Sequence, residues 1–156
     1  MMGAYVVDAS VFMYGLRVFG TIYTVPRVLS EVRSSDAEVI LQTFIKEGLR
    51  IEEPLQKDVD TVTEKAKSTG DYVMLSQADI DLLAKALEVS GTLVTDDYSV
   101  QNVAARLGIE TQQIRQAGIK LALRWRRRCV GCGRLYDKET ACPVCGSEVK
   151  LKPAKR

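Results

Sequence analysis

The chain predicts an α/β fold on a mainly parallel sheet, followed by a small appendage organised by cysteines. Three observations carry this. Short β-branched runs alternate with helical-period segments as far as residue 114. All four cysteines fall in two C-x-x-C pairs between 129 and 145. The net charge of +2 conceals a split: residues 1–114 hold 10 Lys and Arg against 17 Asp and Glu, whereas residues 115–156 hold 12 against 3. The first part is thus −7 and the second +9, and a basic segment of that size suits a polyanion. With 156 residues, 46% of them hydrophobic, one ordinary core and one small appendage can be buried.

The run AYVVD (4–8) reads as a buried strand that stops at an acid. Asp8 could also cap a helix beginning at Ala9. Pro26 suits the first turn of a helix, expected over Pro26–Arg33. A second helix is expected over Asp36–Glu47, with Val39, Ile40 and Phe44 at helical spacing and Gly48 as its stop. Leu49–Ile51 reads as a short strand and Asp58–Ser68 as a surface helix. Ile80, Leu83 and Leu87 form the stripe of a helix over Ser76–Val89, ended by Gly91. Thr92–Thr95 is a buried strand, Tyr98–Leu107 a helix and Ile109–Ile114 a last strand. No run approaches the ~18 apolar residues of a membrane span. The N-terminus has neither a basic leader nor a long apolar segment, so a soluble, cytoplasmic protein without a membrane partner is expected.

The chain contains no histidine, which removes Ser-His and Cys-His nucleophiles and leaves polar chemistry to carboxylates, lysine, hydroxyls, thiols or metals. In parallel sheets ligands bind beyond the carboxyl ends of the strands. Asp8 and the pair Asp96-Asp97 follow two such strands. Asp79 stands three residues after Ser76 in a capping-box pattern, and Glu31 lies among Val28, Leu29 and Val32. Taken singly, each acid has an ordinary use as a cap or a helix border. Gathered in one crevice they would repel one another, and hard oxygen ligands of this kind select Mg²⁺ or Mn²⁺.

The segments VVDAS (6–10), LSEV (29–32), LSQADIDLLAKALE (75–88) and LVTDDYSVQN (93–102) resemble the motifs of PIN-domain ribonucleases. The resemblance implies a PIN-like three-layer α/β/α domain. It further implies Asp8, Glu31, Asp79 and Asp97 as the catalytic, Mn²⁺- or Mg²⁺-holding acids, with Asp96 as an accessory. Asp79 fits the helical motif better than Asp81 does. Ser10, Thr95 and Asn102 would orient the acids through hydrogen bonds.

The pairs Cys129/Cys132 and Cys142/Cys145, each followed by glycine, supply four thiolates for one structural Zn²⁺. The glycines are expected to let backbone N–H groups approach the sulfurs. Disulfides would need an oxidising compartment, for which nothing in the sequence speaks. Arg124, Arg126, Arg127, Arg128, Arg134, Lys150 and Lys152 surround the pairs and are expected to contact RNA phosphates. Trp125 or Tyr136 can stack on a base, and Trp125 equally suits the core of the ribbon. The expected organisation is a PIN-like nuclease domain over 1–115, a linker over 116–124, a zinc ribbon over 125–150 and a basic tail over 151–156.

A PIN domain followed by such a ribbon resembles the archaeal type of the NIN-one-binding family. That resemblance implies a metal-dependent, single-strand endoribonuclease that forms the 3′ end of small-subunit ribosomal RNA. Its partners would be the precursor RNA, the pre-ribosomal small subunit and other assembly factors. The rival reading is a non-catalytic RNA-binding assembly factor whose acids only cap helices. A toxin-type PIN ribonuclease would not account for the ribbon. A zinc-ribbon transcription factor would leave the acids without a role.

Overall fold

The computed structural model describes residues 3–16, 18–114, 124–136 and 138–154, with the side chains of 124–126 and 151–154 outside the description. Its centre is strand β1 (Ala4–Val7), flanked by β2 (Thr21–Thr24) and β4 (Thr92–Val94). With β3 (Arg50–Ile51) and β5 (Thr111–Gln112) they form a five-stranded sheet of order β3-β2-β1-β4-β5. Every pairing in it is parallel. Val6, Val7, Leu93 and Val94 are fully buried, as central strands must be when helices cover both faces of a parallel sheet.

The helices are α1 (Ala9–Tyr14), α2 (Pro26–Leu29), α3 (Ser35–Lys46), α4 (Gln56–Thr69), α5 (Gln77–Val89) and α6 (Tyr98–Arg106), with a 3-10 turn at Tyr72–Met74. Phe12 of α1 meets Phe44 of α3 edge to face, their centroids 5.1 Å apart, which joins these helices within the core. Lys85 of α5 is buried but not unpaired. Its Nζ lies 3.2 Å from Glu52 and 3.0 Å from Glu88.

Two expectations change here. The helix from Pro26 stops at Leu29 rather than Arg33. Ser30 Oγ donates to the Arg27 carbonyl and Arg33 Nε to the Ser30 carbonyl, so side chains compete with the helical ladder at that point. Strand β2 was not among the expected elements. TIYT is β-branched and aromatic between Gly20 and Pro26, but it runs from exposed to buried instead of alternating or lying wholly inside, and its pairing with β1 defines it.

A second, antiparallel sheet of order β7-β6-β8 comprises β6 (Arg124–Cys129), β7 (Leu135–Tyr136) and β8 (Val149–Ala154). Arg126 faces Lys152 and Arg128 faces Lys150 in the register of β6 and β8. β8 therefore carries the ribbon past the boundary expected at 150, and β6 opens at Arg124, where the linker was expected to end. The rest of that linker lies outside the described residues, as do the last two of the tail. Arg127 on β6 forms an ion pair with Asp36 on α3.

Sheet order positions the site. From β1 the chain runs outward to β2 and β3, then returns to the other side of β1 for β4 and β5. The direction reverses between β1 and β4, and the crevice beyond their carboxyl ends is where such sheets place ligands.

Candidate functional site

Val7 and Val94 are register partners, so Asp8 and Thr95 leave adjacent strands side by side at the switch point. Asp8 caps α1, its Oδ1 accepting from Ser10 N at 2.9 Å. The side chains of Ser10 and Thr95 also favour the charged form of its carboxylate. Thr95 is buried, and its Oγ1 accepts from Asp97 N at 3.1 Å. One hydroxyl thereby links the acid after β1 to the acid after β4.

Asp97 caps α6 through Oδ1, which accepts from Ser99 N at 2.9 Å and Val100 N at 3.4 Å. Asp79 closes the expected capping box. Its Oδ2 accepts from Ser76 N at 2.9 Å while its own N–H donates to Ser76 Oγ at 3.1 Å. Three acids thus stand at helix starts and serve as capping groups, as the sequence allowed.

The electrostatics place Asp79 at the centre. Burial pushes Asp8 up to about 6, and the charge of Asp79 adds to that rise against the Thr95 and Ser10 donors, which pull it down. Glu31, although exposed, is raised by partial loss of hydration and then by Asp79. Asp79 is raised by burial, while its bonds to Ser76 oppose the rise and Asp97 adds to it. Asp79 therefore feels or exerts repulsion with Asp8, Glu31 and Asp97, and each is easier to ionise beside a cation.

The remaining acids sort themselves by partner. Asp81 is 4% exposed and is engaged by Arg27 Nε at 2.9 Å and Gln77 Nε2 at 3.2 Å, a structural pairing that leaves Asp79 as the helical acid of the crevice. Asp96 Oδ1 accepts from Ile114 N at 2.7 Å, fastening the segment after β5 to the end of β4. The charge that reaches Asp79 is that of Asp97. Glu31 does not lie on a helix as expected; it is exposed in the turn beyond α2, its N–H bonded to the Val28 carbonyl at 3.0 Å. Asn102 donates to Asp71 Oδ2 at 2.6 Å, not to an acid of the crevice. Thr69 Oγ1 donates to the same oxygen at 2.8 Å. Asp71 was not singled out in the sequence, because after Gly70 it reads as an ordinary turn residue.

The four cysteines form the other centre. Among the described residues theirs is the only set of three or more His, Cys, Asp or Glu ligand atoms lying within 4.8 Å of one another. The carboxylates of the crevice are spaced more openly. Cys129 and Cys145 sulfurs are 3.3 Å apart and those of Cys132 and Cys142 3.8 Å. All four thiols are free. Such spacings are close to the about 3.8 Å between sulfurs at ~2.3 Å from one tetrahedral ion, and far from the ~2.05 Å of a disulfide.

The N–H groups directed at sulfur come from inside the first pair, Gly131 N at 3.3 Å and Cys132 N at 3.4 Å from Cys129 Sγ. A Cβ at Gly131 would lie 2.5 Å from Ser147 Oγ and 3.2 Å from Cys145 Sγ, so a side chain there would have to displace Ser147. The glycines after each pair act differently from the expectation. Gly133 N donates to the Cys129 carbonyl and Gly146 N to the Cys142 carbonyl, both at positive φ, where glycine avoids strain. Tyr136 Oη lies 3.0 Å from Cys142 Sγ. Donation by Tyr136 pulls the Cys142 thiol down to about 6, while the Tyr136 hydroxyl is pushed up to about 12. Arg128, Arg134 and Lys150 are exposed around this cluster.

Acids at a parallel-sheet switch point, joined to a four-cysteine ribbon, define a PIN-domain ribonuclease with an appended metal-binding module. Residues 5–89 match the family described as PIN domain of ribonuclease. VapBC2 from Rickettsia felis shares the fold, with a TM-score of 0.54 at 13% identity over 70% of this chain and 98% of that one. Endoribonuclease Nob1 of Pyrococcus abyssi is 38% identical over 155 residues, 97% of this chain and 94% of that protein. Endoribonuclease Nob1 of Archaeoglobus fulgidus is 38% identical over 156 residues, 97% and 92% respectively. The chain belongs to the Nob1 endoribonuclease family. Among the described residues no helix is long and apolar enough to cross a membrane.

Proposed function

We propose that the chain is a divalent-metal-dependent, single-strand endoribonuclease that cuts precursor ribosomal RNA to form the 3′ end of the small-subunit RNA. On this reading residues 1–115 cut and the ribbon, expected over 125–150, holds the RNA within the pre-ribosomal small subunit, where assembly factors would be further partners. The observation that carries the catalytic part is the repulsion centred on Asp79, which couples it to Asp8, Glu31 and Asp97 at the switch point. The ribosomal substrate rests on the family resemblance.

The donor set fits a hard divalent cation. Asp8, Glu31, Asp79 and Asp97 would hold Mn²⁺ or Mg²⁺, and Asp8 in particular is costly to ionise without one. When bound, such an ion supplies the Lewis acidity that activates water and offsets charge at a scissile phosphate. The chain's own residues do the positioning. Ser10 and Thr95 orient Asp8, Thr95 sets the backbone of Asp97, and Ser76 holds Asp79. In the second centre, four thiolates with N–H and O–H donors suit one Zn²⁺, which would supply much of the folding energy of so small a unit. Arg124, Arg126, Arg128, Arg134, Lys150 and Lys152 are proposed to contact phosphates, whereas Arg127, expected to do so, is held by Asp36.

The test is Asp97→Asn in the full chain, assayed on a precursor spanning the small-subunit 3′ end. Mn²⁺-dependent cleavage is expected to fall by at least ~10²-fold while RNA affinity is retained. Undiminished cutting would remove the catalytic assignment.

A further inference from the structure

An apolar surface borders the acid crevice and has no part in the roles assigned so far. Tyr98, directly after Asp97, is 82% exposed; Val73 is 85% and Met74 67% exposed. Scattered exposed apolar residues are ordinary, but these stand on two segments joined by one side-chain bond. Asn102 lies one turn beyond Tyr98 on the same face of α6 and bonds Asp71, the residue before the Tyr72–Met74 turn. That turn leads through Leu75 into Ser76, which holds Asp79. Tyr98 and the turn thus stand on two supports of the crevice acids, locked to each other by the Asn102–Asp71 bond. Lys67 Nζ sits 4.9 Å from the Tyr72 ring centroid and adds a positive charge to this rim.

The charge balance says why such a surface is useful here. Residues 1–114 are −7, so phosphates are repelled wherever no cation intervenes, and a strand beside the crevice needs uncharged contacts. An aromatic face supplies these to any unpaired base. Resting on the endoribonuclease reading above, we infer that Tyr98, backed by Val73 and Met74, stacks on a base adjoining the scissile phosphodiester and so sets which linkage of a single strand enters the crevice.

The test uses the full chain and single-stranded oligoribonucleotides spanning the junction, with 2-aminopurine placed at each position in turn. In an Asp97→Asn background, quenching on binding is expected at one or two positions beside the junction and is lost when Tyr98→Ala is added. In the otherwise native chain, Tyr98→Ala is expected to raise KM about tenfold, the loss falling on KM rather than kcat. Tyr98→Phe should restore most of that loss, because the ring is retained. An abasic nucleotide at the quenched position should harm the native chain but add nothing to Tyr98→Ala, a coupling that a merely structural residue would not produce. Equal quenching and equal KM in Tyr98→Ala, or equal damage by Tyr98→Phe, would overturn the inference. Cleavage that survives Asp97→Asn would instead count against the nuclease assignment, while the quenching pattern still decides the stacking.

Discussion

The crevice and the ribbon both gather groups of like charge, but they do so in opposite ways. In the ribbon, sulfurs from two loops approach within 3.3 and 3.8 Å, and N–H and O–H donors point at them. That is a closed set, suited to holding an ion for structure. In the crevice the carboxylates are not so tightly gathered. They are held by separate helix caps and bonds to Ser10, Thr95 and Ser76, and they raise one another's proton affinity. Open spacing leaves room for water and substrate at an ion, which a catalytic centre requires. The contrast is between a site that makes the fold and a site that the fold makes.

The strongest way to break this comparison is to remove the metal from the closed site. Cys142→Ser, or zinc chelation, is expected to unfold the ribbon, with a loss on the order of 10 kcal/mol of binding-coupled folding energy. The parallel-sheet domain should keep its own melting transition. Calorimetry together with zinc analysis reads both, and one zinc per chain is expected before the change.

Next in size is the open site. Asp8→Asn should abolish cleavage yet stabilise the metal-free protein. The folded pKa of Asp8, about 6, lies above its unfolded value of 3.8. Its favourable share is therefore complete below pH 3.8 and is lost as pH rises through about 6. The difference amounts to about 3 kcal/mol above pH 6. Denaturant melts of native chain and variant at pH 4 and 7.5 should show the gap chiefly at 7.5, and Mn²⁺ should stabilise only the native chain there. An unchanged or lower stability for the variant at pH 7.5 would contradict the strain argument.

Smaller effects sharpen it. Tyr136→Phe removes the donor to Cys142 and should weaken zinc affinity about 10- to 100-fold, read by chelator competition, without altering the acid crevice. Asp79→Asn should lower the proton affinity of both Asp8 and Glu31, since its charge raises each. Carboxyl NMR titration would register this, and no movement of Glu31 would separate it from the cluster.

Particular residues show what was legible beforehand. Cys129, Cys132, Cys142 and Cys145 could be read from spacing because ligand pairs separated by two residues are local. Asp8, Asp79 and Asp97 were readable as caps for the same reason. That Asp8 and Asp97 leave the sheet on one rim was legible through alternating strands and helices, whereas Asp79 follows no strand and its place beside them was not. Glu31 reads as helical because Ser30 and Arg33, whose side chains bond backbone carbonyls where α2 ends, look like ordinary helical polar residues. Nothing local ties Asn102 to a particular acid, and only packing shows that it bonds Asp71. Likewise Asp96 and Asp97 are indistinguishable by charge. The Ile114 N–H bound by Asp96 comes from 18 residues away.

By itself the sequence determined the class of fold, the four-thiolate module and the acids available for chemistry, because periodicity, caps and C-x-x-C pairs depend on neighbours along the chain. Tertiary structure alone decided that β1 and β4 lie side by side, that Thr95 joins Asp8 to Asp97, and that Asp79 sits at the centre of their repulsion. Those relations depend on distances across the sheet, which pairing and burial set and no local pattern encodes.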